Sequence, residues 1–382
     1  MQRSRSAETK PVVLIFSGCP AVRSSPPQHM KIAAPHQLAA LSLSLLLAPA
    51  LAHASLGLAY QFNGNGNWSI DGVGSNDTPV GTLQAYVPVG STIQKAFLYS
   101  SLTPSQTLGS VTFDGMTYNS GSFTSLGSNP YGLGAYRIDV TSQVAAKVGG
   151  GSASRFDFLV NAEDPNYGID GEALVVVYSN PTESERTIAL LDGYSVASGD
   201  SFNVNLGSPL TDPTAPGFEA LFSLGIGYSY QSGSDQSSQV NVNGRRLTSS
   251  AGGEDDGGSY NGGLITIGGL DDSATNPDDP NVHGNDNLRY DDELYNLALG
   301  NASNPAPFLS TGLTSFTVDT QNPSGDDNIF FAGLNLTARA GINQPPPPPN
   351  GSPVPEPSTY GLLAAAALVG LVARRRLKSF KK

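Results

Sequence analysis

The chain has 382 residues, with 44 Gly, 28 Pro, 14% charged residues and a formal net charge of −12. Low charge with many small, turn-forming residues suits strands joined by turns and argues against a helical bundle. Eleven of the 20 Lys/Arg but only two of the 32 acids lie before Ser55 or after Asn343, which leaves the central body at about −21. That body is too acidic to present a phosphate-binding surface, so nucleic acid is excluded as a partner.

Residues 1–29 fit no structural pattern and read as an upstream extension, with Met30 the initiator. Met30 then opens a secretory signal peptide over residues 30–54. Lys31 supplies the positive start, Leu38 to Leu51 the apolar stretch, and Ala52-His53-Ala54 the small-x-small cleavage site. Signal peptidase is expected to cut between Ala54 and Ser55. The one cysteine, Cys19, precedes the signal, so the exported body holds no disulfide and no thiolate site. Its stability must come from a buried core.

Strand signals then recur, rich in β-branched and aromatic residues and punctuated by Gly, Asn, Asp and Pro. In the first half they are "TIQKAFLYS" (92–100), "SVTFDG" (110–115), "AYRIDV" (135–140), "RFDFLV" (155–160) and "EALVVVYS" (172–179). The second half offers "FEALFSLGIGYSY" (218–230), "QVNVNG" (239–244), "GLITIGGL" (263–270), "TSFTVDT" (314–320) and "NIFFAGLNLTA" (328–338). Helical patterns are confined to "TSQVAAKV" (141–148) and "DDELYNLAL" (291–299).

The halves echo one another. "VTFDGMTY" matches "VNVNGRRL", "RFDFLVNAEDPNYGIDGEALVVVYS" matches "TSFTVDTQNPSGDDNIFFAGLNLTA", and "YRIDVTSQVAAKV" resembles "LRYDDELYNLAL". Duplication and shared β-protein composition both account for this. The expected fold is all-β: two β-sandwich, jelly-roll-like domains in tandem, over 55–195 and 196–342, the second with an acidic loop insertion.

Candidate chemistry is sparse. The body has one histidine, His283, and no Gly-x-Ser-x-Gly, His-Glu-x-x-His or Cys pair, so neither a hydrolase triad nor a zinc site is expected. Three acidic pairs could serve a glycosidase: Glu163 with Asp164, Asp170 with Glu172, and Asp326 with Asp327. Such a pair needs about 5–9 Å across a sugar cleft, and the body has a single tryptophan, Trp68, as a platform. Calcium is the stronger chemical reading. Eleven acids lie between Glu254 and Glu293 with only Arg289 to offset them. Asp278, Asp279, Asn285, Asp286 and Asn287 offer the oxygen ligands that Ca²⁺ takes. The competing reading is a solvated acidic loop. No catalytic residue is assigned, and no cofactor beyond this Ca²⁺ candidate.

A Pro-rich linker, residues 343–353, leads to the last segment, 354–382. Tyr360 to Ala373 is apolar almost throughout, shorter than the usual span of about 20 residues. Arg374, Arg375 and Arg376 follow and would hold that end in the cytoplasm. Pro355-Glu356-Pro357, a short apolar helix over 360–373 and an Arg cluster, in that order, resemble the PEP-CTERM sorting signal. This tail family has also been labelled an ice-binding protein C-terminal domain, a label that gives no reason to expect ice binding. The resemblance implies removal of the tail by exosortase, a membrane protease-transpeptidase, in a Gram-negative bacterium that makes exopolysaccharide. It implies an exported protein anchored transiently in the inner membrane, then found at the cell surface or outside. The expected work is structural or adhesive on an exopolysaccharide, without enzymatic machinery. A carbohydrate-binding module and, further off, a secreted glycoside hydrolase are the alternatives.

Overall fold

The computed structural model describes residues 55–75, 78–149, 153–163, 168–195, 197–229, 238–252, 265–281 and 293–346. The signal peptide, its Ala52 and Ala54, and the whole segment from Pro355 to Arg376 lie outside those residues. Among the described residues the chain is all-β with one short helix, and no helix is long and apolar enough to cross a membrane.

The first half forms β1 (Gly57–Gly74), β2 (Val80–Tyr86), β3 (Thr92–Leu102), β4 (Ser110–Phe113), β5 (Met116–Tyr118), β6 (Thr124–Ser128), β7 (Gly134–Asp139), α1 (Thr141–Val148), β8 (Arg155–Glu163) and β9 (Ile169–Ser179). The second forms β10 (Glu185–Asp192), β11 (Ser201–Leu206), β12 (Ala220–Gly227), β13 (Ser238–Val242), β14 (Arg245–Ala251), β15 (Thr266–Ile267), β16 (Leu294–Asn296), β17 (Ser315–Gln321), β18 (Asn328–Leu336) and β19 (Ala340–Ile342). They make three sheets. The largest runs β15-β12-β18-β10-β1-β9-β3-β7-β6, with β16 also on β12. A five-stranded sheet runs β14-β13-β17-β11-β19, and a four-stranded one β2-β8-β4-β5.

The two halves repeat one wiring. β1-β9-β3-β7 in the large sheet corresponds to β10-β18-β12-β16, and β2-β8-β4-β5 corresponds to β11-β17-β13-β14. The registers agree as well as the order. Leu83 faces Phe158 as Val204 faces Phe316, and Leu98 faces Leu174 as Leu224 faces Ala332. Both short hairpins turn through two residues of positive φ, Asp114-Gly115 (46° and 82°) and Asn243-Gly244 (51° and 72°). This is the backbone that a type I′ turn demands and that Asp-Gly and Asn-Gly supply. Even the turn N–H groups behave alike: Asp114 donates to the Leu159 carbonyl at 2.7 Å and Asn243 to that of Thr317 at 2.9 Å.

β1 links the two sets. Its first part, Gly57 to Asn65, pairs with β10, and from Gly66 onward it pairs with β9. The large sheet bends there, so that its two ends face each other. Alternation along the strands shows this. Leu174, Val176 and Tyr178 of β9 enter a core shared with the four-stranded sheet. Ala173, Val175 and Val177 enter a second core with Ile188 and Leu190 of β10 and Phe330 and Phe331 of β18. Ala189 and Leu191 of β10 enter a third, shared with the five-stranded sheet. Strands covered on both faces read as unbroken apolar runs, which explains "ALVVVY". In the middle core, Tyr99 lies 5.7 Å from Phe330 and 5.5 Å from Phe331, ring centre to ring centre.

The halves differ at one edge. β19 pairs with the edge of β11. The corresponding edge of β2 is met instead by side chains of β1: the Gln84 N–H donates to Asp71 Oδ2, and the Tyr86 N–H to Ser69 Oγ at 2.9 Å. An edge strand with its donors taken does not template further pairing.

One expectation fails. "DDELYNLAL" is no helix from Glu293 onward, for Leu294–Asn296 is β16. Glu293 has φ 52°, which ends any right-handed turn there, and burial of Leu294 and Tyr295 against β12 outweighs helix propensity.

Candidate functional site

The acidic residues divide by burial. Asp170 and Glu172 stand on β9 and are shielded from solvent. The register slips beside them: Ser101 faces Gly171, yet Leu102 faces Ile169, so Asp170 is the extra residue of a bulge. The bulge turns Asp170 toward β12, where Oδ2 accepts the Tyr228 N–H at 2.7 Å. Glu172 lies on the other face, opposite Ser100 and Val73. Its Oε2 accepts the Ser75 hydroxyl, and Oε1 has no hydrogen-bond partner among the described residues. Burial pushes the Glu172 carboxyl up to about 8; the Ser75 hydrogen bond pulls the other way, and the Asp170 charge adds to the rise. Glu172 is therefore largely protonated at neutral pH. Asp71 on β1 is pushed up to about 7, chiefly by burial, against the Gln84 hydrogen bond.

These two carboxyls do not flank a cleft. They sit on opposite faces of one strand, inside the protein. Of the other pairs, Asp327 is buried at a turn residue with φ 51°, and the side chain of Glu163 and all of Asp164 lie outside the described residues.

Two of the five calcium candidates lie among the described residues. Asp278 and Asp279 are exposed, and Asp279 Oδ1 accepts the Asn281 N–H at 3.0 Å, which makes an ordinary Asx turn. Asn285, Asp286 and Asn287 lie outside the described residues. Among the described residues no three metal-ligating side chains of His, Cys, Asp or Glu converge. Several acids of this region have structural partners. Asp271 pairs with Arg155, and Asp272 Oδ2 accepts the Gly269 N–H at 2.6 Å. Glu293 is fully buried, with the Gly252 N–H and the Thr266 hydroxyl each 2.7 Å from one of its oxygens. Glu293 had only its negative charge to mark it in the sequence, and nothing there signalled a buried, hydrogen-bonded acid.

Among the described residues, two well-formed grooves open on the surface. The first, about 670 Å³, lies between the β4–β5 hairpin and α1. Tyr118 Oη donates to Gln143 Oε1 at 2.6 Å, and Gln143 Nε2 to the Phe113 carbonyl at 2.5 Å. Lys147 pairs with Asp114 at 2.6 Å and lies over the Phe158 ring. Burial alone would raise Asp139, but the Thr141 hydroxyl and N–H and the Lys95 ammonium outweigh it and hold this carboxylate below its ordinary value. Met116, half exposed, supplies an apolar lip. A rigid wall of planar amide, carboxylate and phenol beside apolar surface suits a polar, uncharged ligand. Only the "DG" turn and the α1 pattern of this groove were visible in the sequence, because its walls meet across three elements. The second groove, about 500 Å³, lies where the chain leaves the body.

A family model described as the PEP-CTERM protein-sorting motif matches residues 353–376. A search of curated proteins finds no match. Among solved structures, one titled "Structure of PNGF-II in C2 space group" aligns at 10% identity over 73% of this chain, with a TM-score of 0.22. The chain spans 64% of that structure's length. A likeness so loose carries no inference about fold or activity.

Proposed function

We propose, from the premise that this chain is an exported protein bearing the PEP-CTERM sorting motif and processed by exosortase, that its body is a structural or adhesive element at the cell surface. Its partner is the exopolysaccharide outside the cell. The sorting motif carries this reading, since it delivers the body to the surface and the tail is then spent. Burial of Asp170 and Glu172 removes that pair from a glycosidase reading, because carboxyls turned into the core cannot straddle a glycosidic bond. The repeated wiring supports a pair of β-sandwiches joined back to back through the bent sheet. Their boundary falls in the turn at 180–184, so that β10 belongs with the second.

Co-sedimentation of the mature protein with polysaccharide purified from the native host tests the adhesive role. Saturable binding is expected, with no release of reducing ends. Release of reducing ends that is lost in Glu172→Gln would overturn the non-enzymatic reading.

A second reading, a carbohydrate-binding module, is favoured by the groove beside α1. Exchange of Tyr118 or Met116 for Ala should then weaken binding at least fivefold. Met116 is exposed, so its variant should keep the melting temperature within about 2 °C, whereas Tyr118 packs on the core and bonds Gln143, so its variant should also melt lower. Unchanged binding in both variants would remove that groove from consideration.

A further inference from the structure

The second groove lies at the exit of the body, and its lining includes the first residues of the proline run. After β19 the chain reverses at Asn343, whose φ is 54°. Asn343 and Asn203 hold the reversal, each backbone N–H donating to an oxygen of the other residue at 2.8 Å. Asn205 Nδ2 then donates to the Gln344 carbonyl at 3.1 Å. The returning chain lies flat on β19: a Cβ at Gly341 would come within 2.6 Å of the carbonyl oxygens of Gln344 and Pro345, so that position admits only glycine. Pro346, the last described residue, forms one wall of the groove, with Pro209, Leu210 and Phe218 among the others.

We propose that this groove is the dock for the remainder of the chain's own linker, the prolines from Pro347 onward. Three observations choose that occupant. The linker enters the groove already, through Pro346. Its five consecutive prolines, Pro345 to Pro349, prefer an extended polyproline helix, a preformed shape that a groove with an aromatic wall accepts at little entropic cost, and Phe218 is that wall here. Being tethered, the segment is present at an effective concentration on the order of millimolar, so a weak intrinsic affinity suffices. Docking of Pro347 to Pro349 takes up about 9 Å of slack at about 3.1 Å per residue. It would hold the sorting motif at a fixed place beside the body while the tail is anchored. After tail removal it would keep the new C-terminus on the protein.

Cysteine cross-linking tests this in the tail-bearing chain without its signal peptide, Ser55 to Lys382, in detergent. The only native cysteine lies in the leader, so introduced pairs react alone. The pair Thr211→Cys with Pro348→Cys joins groove and linker; Thr82→Cys with Pro348→Cys is the control, on an exposed strand. Mild oxidation should close the first pair within one chain at least tenfold faster than the second. Adding Ser208→Trp, an exposed residue of the groove, should bring the rate down to that of the control. Equal rates for the two pairs, or a rate indifferent to Ser208→Trp, would overturn the proposal. So would a disulfide formed mainly between chains, which would assign the groove to the linker of a second copy. A melting temperature matching that of the unsubstituted protein verifies folding of each variant, and the outcome does not depend on what the body binds.

Discussion

Glu172 carries the clearest titration in the body. Its folded pKa, about 8, lies above the ordinary glutamate value, so the group binds a proton more tightly when folded. Stability from such a group is fully present below the unfolded pKa, near 4.5, and is lost as pH rises through about 8. Asp71, raised to about 7, acts in the same direction over an overlapping window. The protein is therefore expected to melt at a lower temperature at pH 8.5 than at pH 5.5. Glu172→Gln keeps an oxygen to accept the Ser75 hydroxyl and removes the titration. It should flatten the profile and stabilise the protein at pH 8.5 by about 2 kcal/mol, given about 1.4 kcal/mol per pKa unit and partial relaxation around the charge. Parallel pH profiles for the two proteins, followed by thermal melting, would refute the assignment. The sequence showed Asp170 and Glu172 as a pair, but not that a bulge sends them to opposite faces. Period-2 reasoning puts residues two apart on one face, and a single extra residue reverses that.

At the scale of elements, local chemistry was legible and long-range pairing was not. "SVTFDG" and "QVNVNG" announced strands, which form and turn back as hairpins through Asp114-Gly115 and Asn243-Gly244. "TSQVAAKV" announced a helix that spans Thr141–Val148 as written. β1 went unread, because "GNGNWS" looks like loop; its extended form comes from pairing first with β10 and then with β9, and Tyr60 and Ile70 on either side of that stretch enter the middle core. The second-half match to "YRIDV" was also placed out of register. Ile138 and Glu293 occupy equivalent positions opposite Leu98 and Leu224, three residues further on than the sequence match implies. The turns give a direct test of the repeat. Gly244→Ala places a side chain at φ 72° and Gly115→Ala one at φ 82°, with open space around each Cβ. Each should cost about 1 kcal/mol through backbone strain alone. Denaturant melts should show similar losses at the two sites. A loss at only one would mean that the two hairpins do not contribute alike.

For the whole molecule, the ends of the chain say where it goes and the middle says how it is built. The sorting motif was readable because its three parts are contiguous and their order is diagnostic, and the family match at 353–376 agrees with it. The repeated wiring was harder to see, because the equivalent strands share burial pattern and register more than residue identity. Ala96 corresponds to Phe222, and Val175 to Gly333, and each pair keeps only its place in the sheet. The calcium reading drew on acids counted along the sequence. In the fold, Asp271, Asp272 and Glu293 of that set are committed to protein partners.

The central claim is that this protein reaches the surface through exosortase processing of its tail. Intact-mass and peptide mass spectrometry of the protein released by wild-type cells, beside cells lacking exosortase, test it most directly. Released wild-type protein is expected to lack Arg374–Lys382, and the deletion strain to retain a cell-bound form with those residues intact. Released wild-type protein still ending in Arg374–Lys382 would contradict it.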